Sequence, residues 1–588
     1  MKLTTEVAQR KWTTLEHRGV AFPPQYQVRG IRISIAGERF ALSQEQEELV
    51  YSWAKKKDTH YVGDPTFQSN FLGDFKKLLP DRFHNVSSIT DIDFTEAFSL
   101  VDQEKIMKDA EMERIRNLPK DEKRKLREAK KSERDRLKGL YGKAIVDGME
   151  VDVANWLVEP PGLFMGRGQH PLRGRWKPRV THGDVILNLG EEAPVPEGNW
   201  KGIVHDHSST WLATWVEKLT GKRKYVWLHD SSSLRQNSDR EKYDKANRLE
   251  KHINRVQREI INRMLRSRDP NQIKTSTVCY LILKLAMRVG DEKDPEEADT
   301  VGASTLRVEH ITFKEDSGGG KFIEFNFLGK DSVPWQKTIK VDSEDTIGLY
   351  DNLRTLMQGK ERTSQIFDGI TSSKVNAFLR SIDSRNLPGL TAKVFRTFIT
   401  TNVVRETLAR HPFNKINKMS SEAEKIYAIK IANLNAAITC NHKKGIDPRN
   451  PASVKAIQKF NDSVAKKEET IRQLKSELKS GRMKTQAQKK RIIDRLERTE
   501  LQLRLQKETR DYNLGTSLRN YIDPRVIAAW MVYVGLDWKK VYTATLQRKF
   551  RWVEGYGAEE LRYFYPLQKP TRNEVMKVVV SEESKATA

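Results

Sequence analysis

Cysteine is scarce in this chain, with only Cys279 and Cys440 among 588 residues. Both lie in segments whose composition is typical of apolar helix, so the sequence excludes a disulfide framework and a cysteine-based zinc site and favours a reducing compartment. Long apolar runs are missing too, because the longest, Val526–Leu536, covers about half of the ~20 residues that cross a bilayer. The first residues, MKLTTEVAQRKW, lack the apolar stretch of a secretory signal. We therefore expect a soluble protein with no membrane partner.

Nucleotide and metal motifs are also missing from the sequence. No GxxxxGK[ST] phosphate loop occurs, which disfavours an ATP-dependent mechanism. His205 and His207 flank Asp206, but two histidines at i and i+2 without a third convergent ligand are more typical of a surface than of a metal site. The sequence therefore predicts neither a metal nor another cofactor.

Positive charge is what the chain has in excess. Lys and Arg total 105 against 79 Asp and Glu, which leaves a net charge of +26. A surface of that charge repels itself unless a polyanion lies against it, so nucleic acid is the expected partner. The 12 Trp, 16 Tyr and 21 Phe are enough for large cores. A length of 588 residues predicts about three to five folded units.

Residues 1–235 form the first of five predicted regions and have a mixed α/β pattern. Ile31–Ile35 alternates apolar and polar residues ahead of Ala36-Gly37, which predicts a hairpin. Tyr225–Leu228 predicts another strand. Between them, residues of about 102–142 are dense in charge and predict basic helices. Their charge suits a solvated face, a basic arm on phosphates or a nuclear-import patch.

Residues 236–447 are predicted to be mainly helical around a small sheet. Arg240–Leu265 predicts a long helix. Apolar residues recur at helical spacing from Thr277 to Val289, which predicts a helix with one buried face that Gly290 ends. Three strands separated by glycine-containing turns are predicted at Thr305–Phe313, Phe322–Leu328 and Val333–Val341.

Residues 448–511 contain little aromatic character and show a seven-residue apolar repeat. The repeat comprises Ile457, Val464, Ile471 and Leu478. Ser480-Gly481 interrupts it, and a second charged helix follows. An antiparallel two-helix hairpin is the economical interpretation, and a simple linker or a dimerising coil is the alternative. Residues 512–566 are predicted to be compact again, and 567–588 to be a frayed tail.

The most informative feature is a set of short motifs in a fixed order. Tyr521 lies in Asn520-Tyr521-Ile522-Asp523-Pro524-Arg525, just before a helix start where Pro524 suits the first turn. The other motifs are Glu159-Pro160-Pro161-Gly162-Leu163-Phe164, Leu285–Lys293, Ala298-Asp299-Thr300-Val301-Gly302, Phe327–Ser332, Thr391–Thr397 and Cys440-Asn441-His442. With them, nearly the whole chain resembles the eukaryotic type IB DNA topoisomerase family, DNA topoisomerase I.

The resemblance implies a multidomain fold that is mainly α with α+β parts. An N-terminal mixed α/β cap and a tyrosine-recombinase-like catalytic core, residues 236–447, would form a DNA clamp. An antiparallel coiled-coil linker, residues 448–511, would lead to the C-terminal domain. The resemblance also implies a monomer on double-stranded DNA and a site for camptothecin-type inhibitors. The implied compartment is the nucleus, with a mitochondrial form or a large DNA virus protein as alternatives.

The same resemblance implies the residues of the active site. Tyr521 would be the nucleophile. Arg288, Arg396 and His442 would hold the scissile phosphate, and Lys330, on a tight turn, would be the general acid. DNA contacts would come from Phe164, Arg167, Gln169, His170, Asp331 and Asn520, the last of which would also contact the inhibitors. The implied reaction relaxes supercoiled DNA through a 3′-phosphotyrosyl intermediate without ATP or metal.

These residue types suit phosphodiester transesterification. Attack by a phenol builds negative charge on the non-bridging oxygens, and guanidinium groups such as those of Arg288 and Arg396 neutralise it where it develops. A phenol, with an ordinary pKa of about 10, needs nearby cations to attack at neutral pH. Taken singly, each residue also has a structural interpretation. Arg288 could complement a helix dipole, Lys330 could be an exposed hairpin residue, and His442 could be a satisfied core histidine.

Two other functions are open from the sequence. A tyrosine recombinase shares the nucleophile and the cationic pocket, but it normally assembles as a tetramer on specific sites. A basic chromatin-associated protein could keep the fold without turnover. The presence of all five catalytic residue types favours the enzyme.

Overall fold

A computed structural model describes residues 10–166, 168–291, 301–445, 451–481 and 485–565. They divide into two compact units, the first ending at Asn237 and the second starting at Ser238. The tail predicted at 567–588 lies outside the described residues. Within the described ranges, every helix is too short or too polar to span a bilayer.

The first unit is built around three sheets. Its strands are β1 Leu15–His17, β2 Arg32–Ile35, β3 Glu38–Ala41, β4 Ile92–Asp93, β5 Lys143–Val146, β6 Met149–Ala154, β7 Gly162–Leu163, β8 Trp176–Lys177, β9 Val185–Asn188, β10 Gly202–Val204, β11 Trp211–Val216 and β12 Arg223–Leu228. The largest sheet has the order β1-β5-β6-β12-β11-β9-β10, and all its pairs except β9 with β10 are antiparallel. The smaller sheets have the orders β3-β2-β4 and β7-β8.

Four helices accompany these sheets: α1 Gln44–Ala54, α2 Pro65–Lys76, α3 Thr95–Asn117 and α4 Lys120–Tyr141. The last two confirm the charged helices predicted at about 102–142. No side chain of α4 is buried, so its charge is solvated. By contrast, Phe67, Phe71 and Phe75 of α2 are fully buried in one of the unit's two apolar cores.

The predicted hairpin of the first unit is confirmed. β2 pairs antiparallel with β3, and Ile35 lies opposite Glu38, so Ala36 and Gly37 form a two-residue turn. Both residues have positive φ, 52° and 82°, which matches the twist of the flanking strands. The strand predicted at Tyr225–Leu228 is confirmed within β12.

The second unit is mainly helical. Its helices are α5 Ser233–Arg266, which starts in the first unit, α6 Pro270–Leu285, α7 Glu344–Met357, α8 Ser372–Ile382, α9 Ala392–Ala409, α10 Glu422–Thr439, α11 Pro451–Lys479, α12 Gln486–Glu508, α13 Leu514–Asn520, α14 Pro524–Tyr533, α15 Ala544–Lys549 and α16 Ala558–Arg562. Its strands are β13 Ile311–Glu315, β14 Lys321–Gly329 and β15 Val333–Val341, which form one antiparallel sheet in that order.

Two apolar cores organise this unit, and helix α9 belongs to both. Phe395, Phe398 and Ile399 of α9 pack in a core with α5, α6, α8 and the sheet. Val404 and Leu408, farther along the same helix, pack in a second core with α10 and α14. The middle of α9 therefore lies where the two cores meet.

One helix prediction in this unit is wrong at its end. The helix predicted to run to Val289 ends at Leu285, because Ala286 turns into the left-handed region at φ 52°. Ser304 Oγ donates to the carbonyls of Val289 and Gly290 at 2.9 and 2.8 Å. A segment distant in sequence thus satisfies backbone groups that the periodic pattern had assigned to a helix. The predicted one-sided burial is also wrong, since all residues from Thr275 to Leu283 are buried.

One strand prediction is wrong at its start. The strand predicted from Thr305 begins only at Ile311. The preceding backbone bonds elsewhere, because the N–H groups of Val308 and Glu309 donate to the carbonyls of Ser364 and Arg362 at 3.1 and 2.9 Å. The other two strands of this sheet are confirmed, with one extra residue at each end of β14.

Helices α11 and α12 run antiparallel to each other. Lys475 pairs with Glu500 at 2.7 Å and Glu468 with Lys507 at 2.7 Å, so rising positions on one helix meet falling positions on the other. The break predicted at Ser480-Gly481 is confirmed, because α11 ends at Lys479 and Gly481 has φ 63°. The four residues of the predicted apolar repeat in α11 are half-buried, and Leu474, between the last two of them, is buried.

Candidate active site

Tyr521 lies in the short turn between α13 and α14. Asp523 starts α14 as its N-cap, where its side chain accepts the backbone N–H of Arg525 at 2.9 Å, and Pro524 takes the first helical position as predicted. Thr401, from the middle of α9, holds this turn. Its hydroxyl donates to the carbonyl of Tyr521 at 3.2 Å and accepts the N–H of Asp523 at 3.1 Å.

Arg396 lies five residues before Thr401 on α9, with its guanidinium carbon 5.0 Å from the centre of the Tyr521 ring. The residue is 4% exposed. Its Nη2 donates to the carbonyl of Cys440 at 3.3 Å and lies 3.4 Å from Nε2 of His442. Its Nε is buried and has no partner among the described residues. A buried cation with an unused donor is costly to fold around, so this atom is a candidate for binding an anion.

His442 reaches the same place from the end of α10. Its ring is 6% exposed and stacks on that of Tyr521, with centroids 5.4 Å apart and an interplanar angle of 29°. Burial, followed by the charges of Arg396 and Arg288, lowers the pKa of His442 to about 3. The imidazole is therefore neutral at pH 7. Its Nδ1 is buried and lacks a partner in the described part of the chain.

Arg288 follows α6 by three residues, in a loop rather than at a helix end as the sequence predicted. Burial, and then the charge of Arg396, lower the pKa of its guanidinium from the ordinary value. The loop is held by a close approach of two glycines. A Cβ on Gly302 would lie 2.4 Å from the Cα of Gly290, and Gly290 itself has φ 86°, so neither position tolerates a side chain without a shift of backbone.

Lys330 lines the same cleft as Arg288 and Arg396. It starts the three-residue turn Lys330–Ser332 between β14 and β15, to which Asp331 also belongs, and its side chain is exposed. The cleft is lined by residues of α9, of β14 and β15 with the turn between them, and of the segments that follow α6 and α10. Among them are Arg288, Gly302, Lys330, Arg396, Cys440 and Asn441. The structure thus brings together all five predicted catalytic residues from five separate segments of the chain.

Of the predicted DNA contacts, Asn520 lies beside this site. It is the last residue of α13, is exposed, and donates from Nδ2 to the carbonyl of Thr516 at 3.1 Å. Three others lie in one loop of the first unit. There, the rings of Phe164 and His170 meet edge to face at 4.8 Å, and Gln169 is exposed. Arg167 lies outside the described residues.

Sequence reasoning missed two residues whose side chains hydrogen-bond to the backbone of segments that lead to the predicted site residues. Thr401 carries no motif that would have singled it out. Lys337 occupies an inward position of β15, between the buried Trp335 and Ile339, and a lysine at such a position in an alternating strand is a signal that could have been read.

The residues predicted to lack a metal role keep structural contacts. His205 Nδ1 bonds the carbonyl of Leu189 at 2.8 Å, and His207 Nε2 lies 3.0 Å from a carboxylate oxygen of Glu191. Within the ranges that the structure covers, three or more His, Cys, Asp or Glu side chains nowhere converge as metal ligands.

Comparison with known families covers most of the chain with three models. Residues 231–478 match the model described as eukaryotic DNA topoisomerase I, catalytic core. Residues 10–228 match eukaryotic DNA topoisomerase I, DNA binding fragment, and residues 493–560 match the C-terminal topoisomerase domain.

Curated relatives agree with these matches. The chain is 34% identical over 569 residues to DNA topoisomerase 1 beta of Arabidopsis thaliana, an alignment that covers 92% of this chain and 58% of the relative. It is 31% identical over 577 residues to DNA topoisomerase 1 of Homo sapiens, covering 94% and 72%. It is also 31% identical over 579 residues to the human mitochondrial DNA topoisomerase I, covering 94% and 92%. The chain thus spans less than two thirds of the plant relative.

Proposed function

Because this chain belongs to the eukaryotic DNA topoisomerase I family, we propose that it relaxes supercoiled DNA as a type IB enzyme. It would cut one strand, let the duplex rotate about the other, and reseal the cut without ATP or metal. The observation that carries the proposal is the contact of the Tyr521 ring with Arg396 and His442, each of which keeps an unused buried nitrogen.

In the proposed cleavage step, the phenol oxygen of Tyr521 attacks the scissile phosphorus. The phenol proton passes to solvent, the new P–O bond forms and the bond to the 5′ oxygen breaks. The product is a 3′-phosphotyrosyl strand and a 5′ hydroxyl. Religation reverses these steps. One phosphoester replaces another, so bond energy is retained and torsional stress in the DNA sets the direction.

Charge stabilisation is the task of the two arginines. Negative charge develops on the non-bridging oxygens during attack, and fixed guanidinium groups in a buried site stabilise it without reorganising. The Arg396 guanidinium also lies 5.0 Å from the centre of the Tyr521 ring, close to the oxygen that attacks and to the charge that develops around it. Arg288 contributes from its loop at the edge of the same cleft.

The other two residues have distinct tasks. The neutral imidazole of His442 can donate one hydrogen bond to a phosphate oxygen while the charge of the pocket comes from the arginines. Lys330 lies on an exposed turn, from which a flexible ammonium group can reach the departing 5′ oxygen and protonate it. The contacts of Phe164, Arg167, Gln169, His170, Asp331 and Asn520 with DNA are part of this proposal.

The finer architecture is also a proposal. Residues 1–235 would cap the DNA and residues 236–447 would form the recombinase-like core. The antiparallel helices α11 and α12 support a coiled-coil linker in 448–511, followed by a C-terminal domain in 512–566. We propose a monomeric clamp whose affinity depends steeply on salt, since phosphate contacts dominate it.

Inhibitor binding and location complete the proposal. Asn520, next to the nucleophile, is the proposed contact for camptothecin-type inhibitors. The nucleus is the proposed compartment, and the mitochondrion is the alternative, since one relative is named as mitochondrial.

Relaxation of plasmid DNA tests the function. Purified protein should relax both positively and negatively supercoiled plasmid in EDTA without ATP. Quenching with detergent should leave a 5′-labelled strand attached to the protein and release a 3′-labelled fragment, because the link is to a 3′ phosphate. Loss of activity in EDTA, or attachment of the 3′-labelled fragment instead, would contradict the proposed chemistry.

A further inference from the structure

Lys337 is a lysine that points into the protein from the middle of a strand. In β15, residues at alternate positions face the core, and Val333, Trp335 and Ile339 are buried there. Lys337 occupies the remaining inward position of this series. Burying an ammonium group is costly unless hydrogen bonds compensate it, so its partners identify its task.

The ammonium group of Lys337 bonds the ends of two helices at once. Its Nζ donates to the carbonyl of Leu285 at 3.1 Å and to the carbonyl of Thr439 at 2.9 Å. Leu285 is the last residue of α6 and Thr439 the last of α10. The final carbonyls of a helix lack partners within it and carry partial negative charge, so a cation is favourable at both ends.

The two helix ends lead to catalytic groups by the same spacing. Arg288 is three residues after Leu285, and His442 is three residues after Thr439. In each case the chain leaves the helix through a left-handed residue, Ala286 at φ 52° and Asn441 at φ 53°.

A second tether joins β15 to one of these segments. The side chain of Asn441 donates from Nδ2 to the carbonyl of Pro334 at 3.0 Å. Pro334 precedes Lys337 by three residues on the same strand. β15 therefore contacts the turn before His442 at two points.

We propose that Lys337 is a positioning residue, which joins the ends of α6 and α10 and thereby fixes the distance between Arg288 and His442 across the phosphate site. This inference rests on the proposed function. Lys337 acts through the backbone and touches no reacting atom. Without it, each helix end would keep an unpaired carbonyl, and the two turns would be free to move apart.

The charge of Lys337 persists at neutral pH. Burial lowers the pKa of Lys337 to about 8; Cys440 opposes this shift, and the positive charge of Arg396 adds the smallest contribution in the lowering direction. The group is therefore mostly protonated at pH 7 and serves both carbonyls as a cation.

The first test compares two lysines of one strand. Lys337→Met keeps the length of the side chain but removes the donor, and Lys340→Met changes an exposed lysine of β15 as the control. We expect Lys337→Met to slow single-turnover cleavage of a DNA duplex about 10- to 100-fold with unchanged DNA affinity, since small displacements of reacting groups cost rates of this order. Lys340→Met should stay within about twofold of the unmodified protein.

A second test separates positioning from a general structural role. If Lys337 acts through Arg288 and His442, then Lys337→Met should cost much less when added to Arg288→Ala or His442→Gln than it does alone. Lys337 does not hold the turn that carries Lys330. Lys337→Met should therefore reduce the cleavage rate by the same factor in the Lys330→Ala background as it does alone. If Lys337→Met reduces the cleavage rate by the same factor in the Arg288→Ala, His442→Gln and Lys330→Ala backgrounds, the proposal is wrong.

The remaining outcomes are also decisive. Lys337→Gln, which keeps an N–H donor, should lie between Lys337→Met and the unmodified protein. If both variants fail to fold, Lys337 is a folding residue and the inference is wrong. If the unmodified protein forms no covalent complex, the proposed function fails. If that complex forms normally and Lys337→Met cleaves at the same rate, only the positioning role fails.

Discussion

His17 in the first unit and His442 in the second are both buried, with 4% and 6% exposure, yet their surroundings differ. Nε2 of His17 bonds the carbonyl of Asn188 at 3.0 Å, and Nδ1 accepts the N–H of Gly19 at 3.0 Å. Nδ1 of His442 has no hydrogen-bond partner among the described residues, and its Nε2 lies 3.4 Å from Nη2 of Arg396. The first is a satisfied core histidine, and the second is the histidine that we propose binds a phosphate oxygen.

Two buried arginines of the second unit repeat the contrast. Arg525, 2% exposed, donates to the carboxylates of Asp523 at 2.9 Å and Asp244 at 2.7 Å, which raise the pKa of its guanidinium despite burial. Arg396, 4% exposed, has no carboxylate within ion-pair distance in the described residues. Burial alone therefore does not distinguish these two arginines. Their ion-pair partners do, since Arg525 has two carboxylates and Arg396 has none among the described residues.

The largest effect should come from the nucleophile. Tyr521→Phe keeps the ring that contacts Arg396 and His442 but removes the attacking oxygen, so cleavage should fall by about 10⁶-fold, as is typical when a nucleophile is removed. DNA binding should remain, since phosphate contacts supply it. Tyr533→Phe, at an exposed tyrosine of α14, is the control. Covalent complex formation by Tyr521→Phe would show that the nucleophile is misassigned.

The two arginines should respond in opposite ways. Arg396→Met should lower the cleavage rate by about 10²–10³-fold, the usual cost of one transition-state donor. Its stability should be unchanged or higher, because it removes a buried charge without a carboxylate partner. Arg525→Met should destabilise the fold by about 3–5 kcal/mol, since it leaves a buried carboxylate unpaired. Cleavage assays measure the rates of the two variants, and denaturant unfolding measures their stabilities. A destabilised Arg396→Met that cleaves normally, together with a stable Arg525→Met that cleaves slowly, would contradict the comparison.

The pH dependence of stability should sharpen the comparison of the histidines. The pKa of His442 is lowered to about 3 and that of His17 to about 4. Between those values and the ordinary value of about 6.5, the unfolded chain binds protons that the folded chain does not, so stability rises with pH through this window and levels off above it.

The variants then differ in the cause of the shift. His17→Gln and His442→Gln should each flatten the stability curve between about pH 4 and 6.5. Arg396→Met should flatten it partly, because it removes one cause of the lowered pKa of His442 but leaves His17 untouched. Thermal unfolding as a function of pH measures these stability curves. If the curve of Arg396→Met parallels that of the unmodified protein, the charge of Arg396 does not contribute to the lowered pKa of His442.

The smallest effect should come from a turn far from this chemistry. Ala36 has φ 52° in the hairpin of β2 and β3 and is exposed. Ala36→Gly should raise the free energy of unfolding by a few tenths to about 1 kcal/mol, because glycine adopts this conformation without steric strain. Cleavage should not change. A destabilised variant would mean that chain entropy outweighs the relief of strain at this position.

Local patterns were enough for much of the fold. The alternation before Ala36-Gly37 and around Val333–Val341, and the Asp523-Pro524 helix start, were predicted because neighbouring residues carry those signals. The end of α6 was not, because the apolar spacing continues past Leu285 while Ser304 binds the backbone beyond it. The start of β13 was missed for the same reason, since Val308 bonds Ser364 instead of a strand.

The candidate site was likewise predictable from the sequence only in part. Residue order alone assigned Tyr521, Arg288, Lys330, Arg396 and His442 to a family pattern, because a family's motifs survive in the linear chain. Only the tertiary structure shows that Arg396 and His442 each keep a buried nitrogen without a partner among the described residues, whereas Arg525 is paired. Only the tertiary structure shows that Lys337 joins two helix ends. Whether a polar group is satisfied depends on atoms brought near it from distant segments, and no stretch of sequence contains that information.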